Sequence, residues 1–422
     1  MLYPRITVAI AILSLLLVAC GGADTEPTAT APHTAAPTAT SAPPATATAT
    51  AAALHEIVFA GALADGHTRV YCVDADGSDL HALTPFEFRP WDTEVYEGYP
   101  VFSPDGSRIA YMRYGDVDVE GVWVINVDGT GEQRVTRGWA RDLTWSPDGS
   151  RLAFAWLQWG WPPYERGQGA GAEGNPLQVV VVNADGTGLH TLSDPALTAG
   201  PVTDILPSWS PDGARILFQR WTHAEEAAED TIELWLANAD GSDLHLLDTG
   251  DVGVLLTGWS VTWSPDGARL AFAGGAEEPI ALGVYTIRPD GSDLWQLGDV
   301  PALGQIAWSP DGTRLAFPST IARLRPPDDW SRAEVDLYTM ATDGSDLRLV
   351  LDLPDTREAA PVWSPDGTRL LYTSAPATWV GEWPPPVAIG VVGIDGSNPV
   401  TLVAELAGRW EAQSGPMWRP IE

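Results

Sequence analysis

The stretch Trp145-Ser-Pro-Asp-Gly-Ser-Arg-Leu-Ala-Phe154 decides the fold, because five relatives of it lie elsewhere in the chain. They span Phe102–Tyr111, Trp209–Phe218, Trp263–Phe272, Trp308–Phe317 and Trp363–Tyr372, each with Ser-Pro-Asp-Gly after the leading aromatic residue. Pro presets φ, Asp accepts local hydrogen bonds and Gly takes positive φ, so the tetrapeptide is a tight turn. The aromatic residue closes one short strand. The apolar run after the motif's Arg opens the next.

A second motif alternates with the first. Its Asp-Gly pairs begin at Asp76, Asp128, Asp185, Asp240, Asp290, Asp343 and Asp395, with a period near 53 residues. Asp-Gly is a strong hairpin signal, and an apolar strand such as Gly121-Val-Trp-Val-Ile-Asn126 precedes it. Each repeat therefore reads as four short strands, a to d. Such units pack as blades around a central channel. There are six Ser-Pro-Asp-Gly motifs but seven Asp-Gly hairpins. His55–Ala60 looks like a strand b without its strand a, and Ser414–Pro420 like a strand a without its b. The predicted fold is all-β: a seven-bladed propeller of four-stranded antiparallel blades, closed by the C-terminal strand pairing with the N-terminal blade. Closure leaves no free sheet edge at the seam.

The pattern W-S-P-D-G-x-R-[IL]-A-[FY], followed by the D-x-D-G-S-[DN] hairpin, resembles the TolB-type, WD-repeat-like propellers across essentially residues 54–422. The family's usual form has six blades, so a count of seven departs from it. Its typical extra N-terminal α/β domain has no counterpart here, and TolB-like function is not carried over.

Residues 1–19 carry one cation, Arg5, and a mostly apolar run to Ala19; Leu17-Val18-Ala19-Cys20 follows the pattern of a bacterial lipoprotein signal. The resemblance implies lipid on the Cys20 thiol. Residues 20–53 hold that Cys and an Ala/Thr/Pro-rich stretch with little apolar surface to bury, expected to be a disordered stalk. Residues 54–422 form the propeller. The expected location is extracytoplasmic, lipid-anchored to a bacterial cell membrane.

The chain of 422 residues has a net charge of −33, and every one of its cations is Arg. Such a field repels phosphate backbones and excludes general nucleic-acid binding. Two cysteines, Cys20 and Cys72, supply no disulfide framework. Residues present in every copy are expected to hold the fold: Asp148 as turn cap, Arg151 as blade-edge partner, Trp145 as inter-blade packing. The Asp-Gly segments lack a complete calcium-loop pattern. His81, His190 and His245 occupy one equivalent place in three blades, so they form no cluster. No metal site and no cofactor is expected. Two acidic runs have the residue types of a cation site, one with His223, Glu226 and Asp230, the other with Asp116, Asp118 and Glu120; charge runs in loops are usually just solvated.

Function is expected where copies differ, on the face carrying the b–c and d–a connections. That face is rich in aromatics, whose apolar bodies and polar tips suit binding. The candidate partner-binding residues are Trp91, Trp156, Trp159, Trp161, Trp221, Trp259, Trp330, Trp379 and Trp383. Polar candidates at the channel mouth are Arg141, Asp142 and Gln305, with Asp204, Ser260, Glu358 and Gln413 near them. A similar propeller precedes the hydrolase domain in the prolyl oligopeptidase family, but no G-x-S-x-G elbow is present here. Oligogalacturonate lyases use His-rich metal sites on a propeller face, and the non-repeat histidines here are few. The expectation is therefore a monomeric, non-catalytic propeller, not an enzyme, binding an envelope protein or a polysaccharide. A polysaccharide lyase or hydrolase-like enzyme on the same face is the alternative.

Overall fold

The computed structural model describes residues 56–420 apart from 64–66, 86–94, 116–117, 158–176, 194–201, 223–230, 251, 255–260, 277–280, 299, 321–334, 378–386 and 407–414. Seven antiparallel sheets follow one another, each ordered a-b-c-d outward from the channel. Blade 1 joins Met417–Trp418 to Ile57–Ala62, Thr68–Val73 and His81–Ala82. The seam is the pairing of Ile57 with Trp418 and Val58 with Met417, extended by Arg419 N–H donating to Glu56 O at 2.6 Å. The seven-bladed ring with a shared closing blade is as the repeat count predicts. The strands a of the other blades are Tyr96–Phe102, Trp139–Trp145, Val202–Trp209, Thr262–Trp263, Ala307–Trp308 and Thr356–Trp363. These end blades 2 to 7 respectively at their aromatic residue. The TolB resemblance stands at the level of this propeller.

Blades are locked to each other by the motif residues. Trp145 Nε1 donates to Val101 O of the preceding blade, and Trp263, Trp308, Trp363 and Trp418 do likewise to Ser208, Thr262, Ala307 and Val362, at 3.1–3.3 Å. The motif's Arg reaches forward over the next blade's indole: Arg108 over Trp145 at 4.8 Å, Arg151 over Trp209 at 4.7 Å and Arg369 over Trp418 at 4.9 Å. Asp148 accepts from Ser146 Oγ and the Ser150 amide, and these donors bring its pKa down to about 2. The repeated Asp, Arg and Trp are thus structural, as expected.

The hairpin motif has an equally local cause. Asp79, Asp243, Asp293, Asp346 and Asn398 all have φ between 49 and 56°, and Gly131 and Gly188 fill the same place in blades 2 and 3. The turn requires the left-handed region there, which admits Asp, Asn and Gly most cheaply. The hairpin aspartates cap their own turns, as Asp76 does by accepting from the Ser78 amide at 2.8 Å. Cys72 is a buried free thiol, pushed up to about 12 chiefly by burial. No described helix is long and apolar enough to cross a membrane.

Trp209 differs from its counterparts: among the described residues its buried Nε1 has no acceptor. Trp363→Phe should therefore cost about 1 kcal/mol for the lost hydrogen bond. Trp209→Phe should cost less, since no bond is lost. The check is the shift in chemical-denaturation midpoint of the two variants; equal shifts would refute the hook as an energetic element.

Candidate functional site

The site is built on the ends of the strands a farthest from the Ser-Pro-Asp-Gly turns. In blades 2, 3, 4 and 7 the a–b register skips one residue, between Gly98/Val101, Arg141/Thr144, Ile205/Ser208 and Ala359/Val362. The extra residue sits at positive φ: Tyr99 at 53°, Asp142 at 57°, Leu206 at 54° and Ala360 at 50°. A bulge of this kind re-aims the side chains before it and ends regular pairing. Non-glycine residues held left-handed cost about 1–2 kcal/mol each.

Just before the bulge, three blades place a carboxylate against the preceding blade: Glu97, Asp204 and Glu358, each fully buried. Glu97 faces Arg113 across the strand pair, accepting from its Nε at 2.9 Å and from Nη2 at 2.7 Å. Thr84 Oγ1 and the Val70 amide donate to its other oxygen. The same Arg113 reaches Glu132 at 2.8 Å and lies 4.6 Å over the Trp123 ring. Asp204 faces Arg220 in the same register, with two parallel bonds of 2.7 and 2.8 Å. These are charge-assisted, bidentate pairs, each inside a blade junction.

Glu358 breaks the pattern. Its partner across the strand pair is Ser374, not an arginine. Thr356 Oγ1 donates to Oε1, while buried Oε2 has no hydrogen-bond partner among the described residues. Asp336, buried in the preceding blade, adds a like charge. Burial first, then Asp336, push the Glu358 carboxyl up to about 7. Exposed Ala359 follows it, and half-buried Thr356 and Arg357 precede it, so the acid lies one layer beneath the surface. A carboxyl group with that pKa is poised to give or take a proton near neutrality.

Of the polar candidates, Arg141 and Asp142 are brought together, Nε donating to Oδ2 at 2.9 Å, and the Leu206 amide donates to the same oxygen at 3.2 Å. The Arg141 guanidinium lies 6.0 Å from the Tyr99 ring centre. Gln305 is half-buried in blade 6. Trp156 is buried, with Nε1 donating to Arg137 O at 3.0 Å. Trp221 packs against a cluster of Ala155, Leu157, Leu177 and Ile205. Trp91, Trp159, Trp161, Trp259, Trp330, Trp379 and Trp383 lie outside the described residues, as do Cys20, Ser260, Gln413, Asp116 and the His223 run. The Arg113, Arg220 and Asp336 partners escape a reading of the repeat. Their signal is register: Arg113, Arg220 and Ser374 each stand five residues after the motif's Arg.

No protein-family model matches the chain, and no curated protein matches it. Among solved structures, an oligogalacturonate lyase from Vibrio parahaemolyticus is 15% identical over 80% of this chain and 86% of that one, with a TM-score of 0.58. An oligogalacturonate lyase in complex with manganese is 16% identical over 80% and 85%, at 0.56. A puromycin-hydrolyzing peptidase from Mycobacterium tuberculosis is 16% identical at 0.56, over 86% of this chain; this chain spans about 55% of that protein's length. Identities this low show the shared fold. All three proteins are enzymes, and this overturns the expectation of a non-catalytic binder that is not an enzyme. Among the described residues no group of three or more His, Cys, Asp or Glu is placed to hold a metal ion.

The Glu358 carboxyl binds its extra proton in the native state between pH about 4.5 and about 7. Stability contributed by that proton is lost as pH rises through this window. Glu358→Gln should match the native protein near pH ~4 and exceed its stability by up to about 3 kcal/mol near pH ~8. Arg220→Met should instead cost about 3–5 kcal/mol at neutral pH, because Asp204 is left buried and unpaired. Urea titrations across pH decide both; a native-minus-Gln difference that stays flat would remove the buried acid from the site.

Proposed function

We propose that this propeller is a polysaccharide-degrading enzyme, a hydrolase or lyase, with Glu358 as its proton-transferring group. The observation that carries the reading is the inner-strand carboxyl group whose arginine is missing, whose Oε2 is unsatisfied among the described residues and whose pKa is pushed to about 7. The enzymes sharing the fold support catalysis on such a scaffold at the level of architecture.

The charge of the chain helps to choose the substrate. Elimination requires a carboxylate next to the carbon that loses its proton, so a lyase acts on an acidic polymer. A net charge of −33 opposes such polymers and favours neutral glycans, hence hydrolysis. In hydrolysis a protonated Glu358 gives its proton to the leaving oxygen, and a second, ionised carboxylate acts on the sugar. Lipid attachment at Cys20 and the stalk of residues 20–53 are part of the same proposal: an extracytoplasmic, tethered, monomeric enzyme meeting polymers at the cell surface.

The test is incubation with neutral and acidic polysaccharides, reading new reducing ends and the absorbance of unsaturated uronate. Reducing ends without that absorbance are expected. Glu358→Gln should lower turnover about 100-fold or more. The native rate should fall as pH rises through about 7, where the acid is lost. Turnover unchanged in Glu358→Gln would end the assignment, and uronate absorbance would replace hydrolysis with elimination.

A further inference from the structure

The junction between blades 5 and 6 differs from the other junctions on the face of the Ser-Pro-Asp-Gly turns. At four other junctions the motif's Arg covers the next indole: Arg108, Arg151 and Arg369 lie 4.7–4.9 Å from their ring centres, and Arg215 lies 5.4 Å from that of Trp263. In blade 5 the corresponding Arg269 turns back into its own blade. Its Nη2 pairs with Asp293 and its Nη1 donates to Thr286 Oγ1 at 3.0 Å. Trp308, the indole it would cover, is half-buried, whereas Trp145, Trp209, Trp263, Trp363 and Trp418 are only 5–7% exposed. A cleft of about 560 Å³ opens there, lined by Trp308, Asp266, Asp311, Arg288 and Arg269 among others.

The hairpin contributes, although blade 4 also has an aspartate there, Asp243, while Arg215 stays over Trp263. Blades 2, 3 and 7 have Gly131, Gly188 and Asn398 at the left-handed turn position, and none of these can capture an arginine as a carboxylate does. Blade 5 has Asp293, which takes both Arg269 and Arg288. Blade 6 has Asp346, which draws in Arg314 in the same way, yet Trp363 stays buried and that junction is closed.

We infer that the cleft over Trp308 is a binding site for a guanidinium group, presented by an arginine side chain of a partner polypeptide. An arginine is what sister junctions place on this surface, and an open indole face attracts a cation. Asp266 and Asp311 supply carboxylates at its edge, each held ionised by donors of its own turn. Asp266 uses Oδ1 within the turn, accepting from Ser264 Oγ and the Ala268 amide. The lining holds two carboxylates and two arginines; both arginines are engaged by Asp293 outside it, which leaves Asp266 and Asp311 for an incoming cation, and the chain's charge steers cations toward it. This site lies at the end of the blades opposite Glu358 and is independent of the reaction proposed there.

The test labels the full chain with 5-fluorotryptophan and follows the fluorine resonance of Trp308, identified by its absence in Trp308→Phe. Triarginine is the probe, with trilysine and inorganic phosphate at matched ionic strength. The Trp308 resonance should shift saturably with triarginine and at least about tenfold more weakly with trilysine. Asp293→Ala should free Arg269 to cover Trp308, moving the resonance without probe and weakening the triarginine response at least about tenfold. Asp293→Ala/Arg269→Ala should reopen the cleft and restore the response. A Trp308 resonance indifferent to triarginine, one shifted by phosphate instead, or an Asp293→Ala variant that responds like the native protein would overturn the inference.

Discussion

The propeller depends on one contact repeated around the ring: an indole N–H of one blade donating to a carbonyl of the blade before it. Each blade buries its apolar faces only against its neighbours, so the assembly is stable when every junction is held at the same spacing. The hook sets that spacing at five of the seven junctions, the exceptions being Phe102, which has no N–H, and Trp209, and the guanidinium of the preceding blade seals four of the indoles from outside. The Ser-Pro-Asp-Gly turn positions both ends of the contact, since it follows the Trp directly and delivers the Arg two residues later.

A ring built this way has one uniform end and one free end. At the uniform end every turn is under geometric constraint, and departures stand out, such as Arg269 turning to Asp293 and away from Trp308. At the free end the inner strands bulge, and the junctions are filled by carboxylates. Two of these are neutralised by an arginine across the strand pair. The arginine holds each in place at the junction, although burial still raises the Glu97 carboxyl above its ordinary range. The third, Glu358, has lost that compensation and has gained a like-charged neighbour. A buried carboxyl group left uncompensated is the kind of group that transfers protons at working sites, and the role proposed for Glu358 rests on this.

The architecture and the blade seam were both legible, because tight turns impose residue types that survive at fixed spacing. Asp and Gly in the hairpin stand where φ must be positive, and the lone strand fragments at the two ends of the repeat array complete each other. The expectation of a non-catalytic binder failed for a different reason. It looked for chemistry in residue types, histidines and a serine elbow, whereas the perturbation of Glu358 arises from what is missing opposite it. Trp156 and Trp221, singled out as aromatic surface, are packed against the core by the bulged strands beside them.

What the sequence determined by itself is whatever follows from local backbone geometry repeated many times: turns, strand order within a blade, the number of blades and the residues that seal them. What only the tertiary structure decided is the state of individual side chains at the junctions. Glu358 and Glu97 occupy the same place in the repeat, but one is an acid near neutrality and the other an arginine-bound partner. Arg269 and Arg151 share a motif, but only one covers its neighbour's indole. The difference lies in groups far apart along the chain and adjacent in space, and electrostatic energy depends on distance and burial, which the order of residues does not specify.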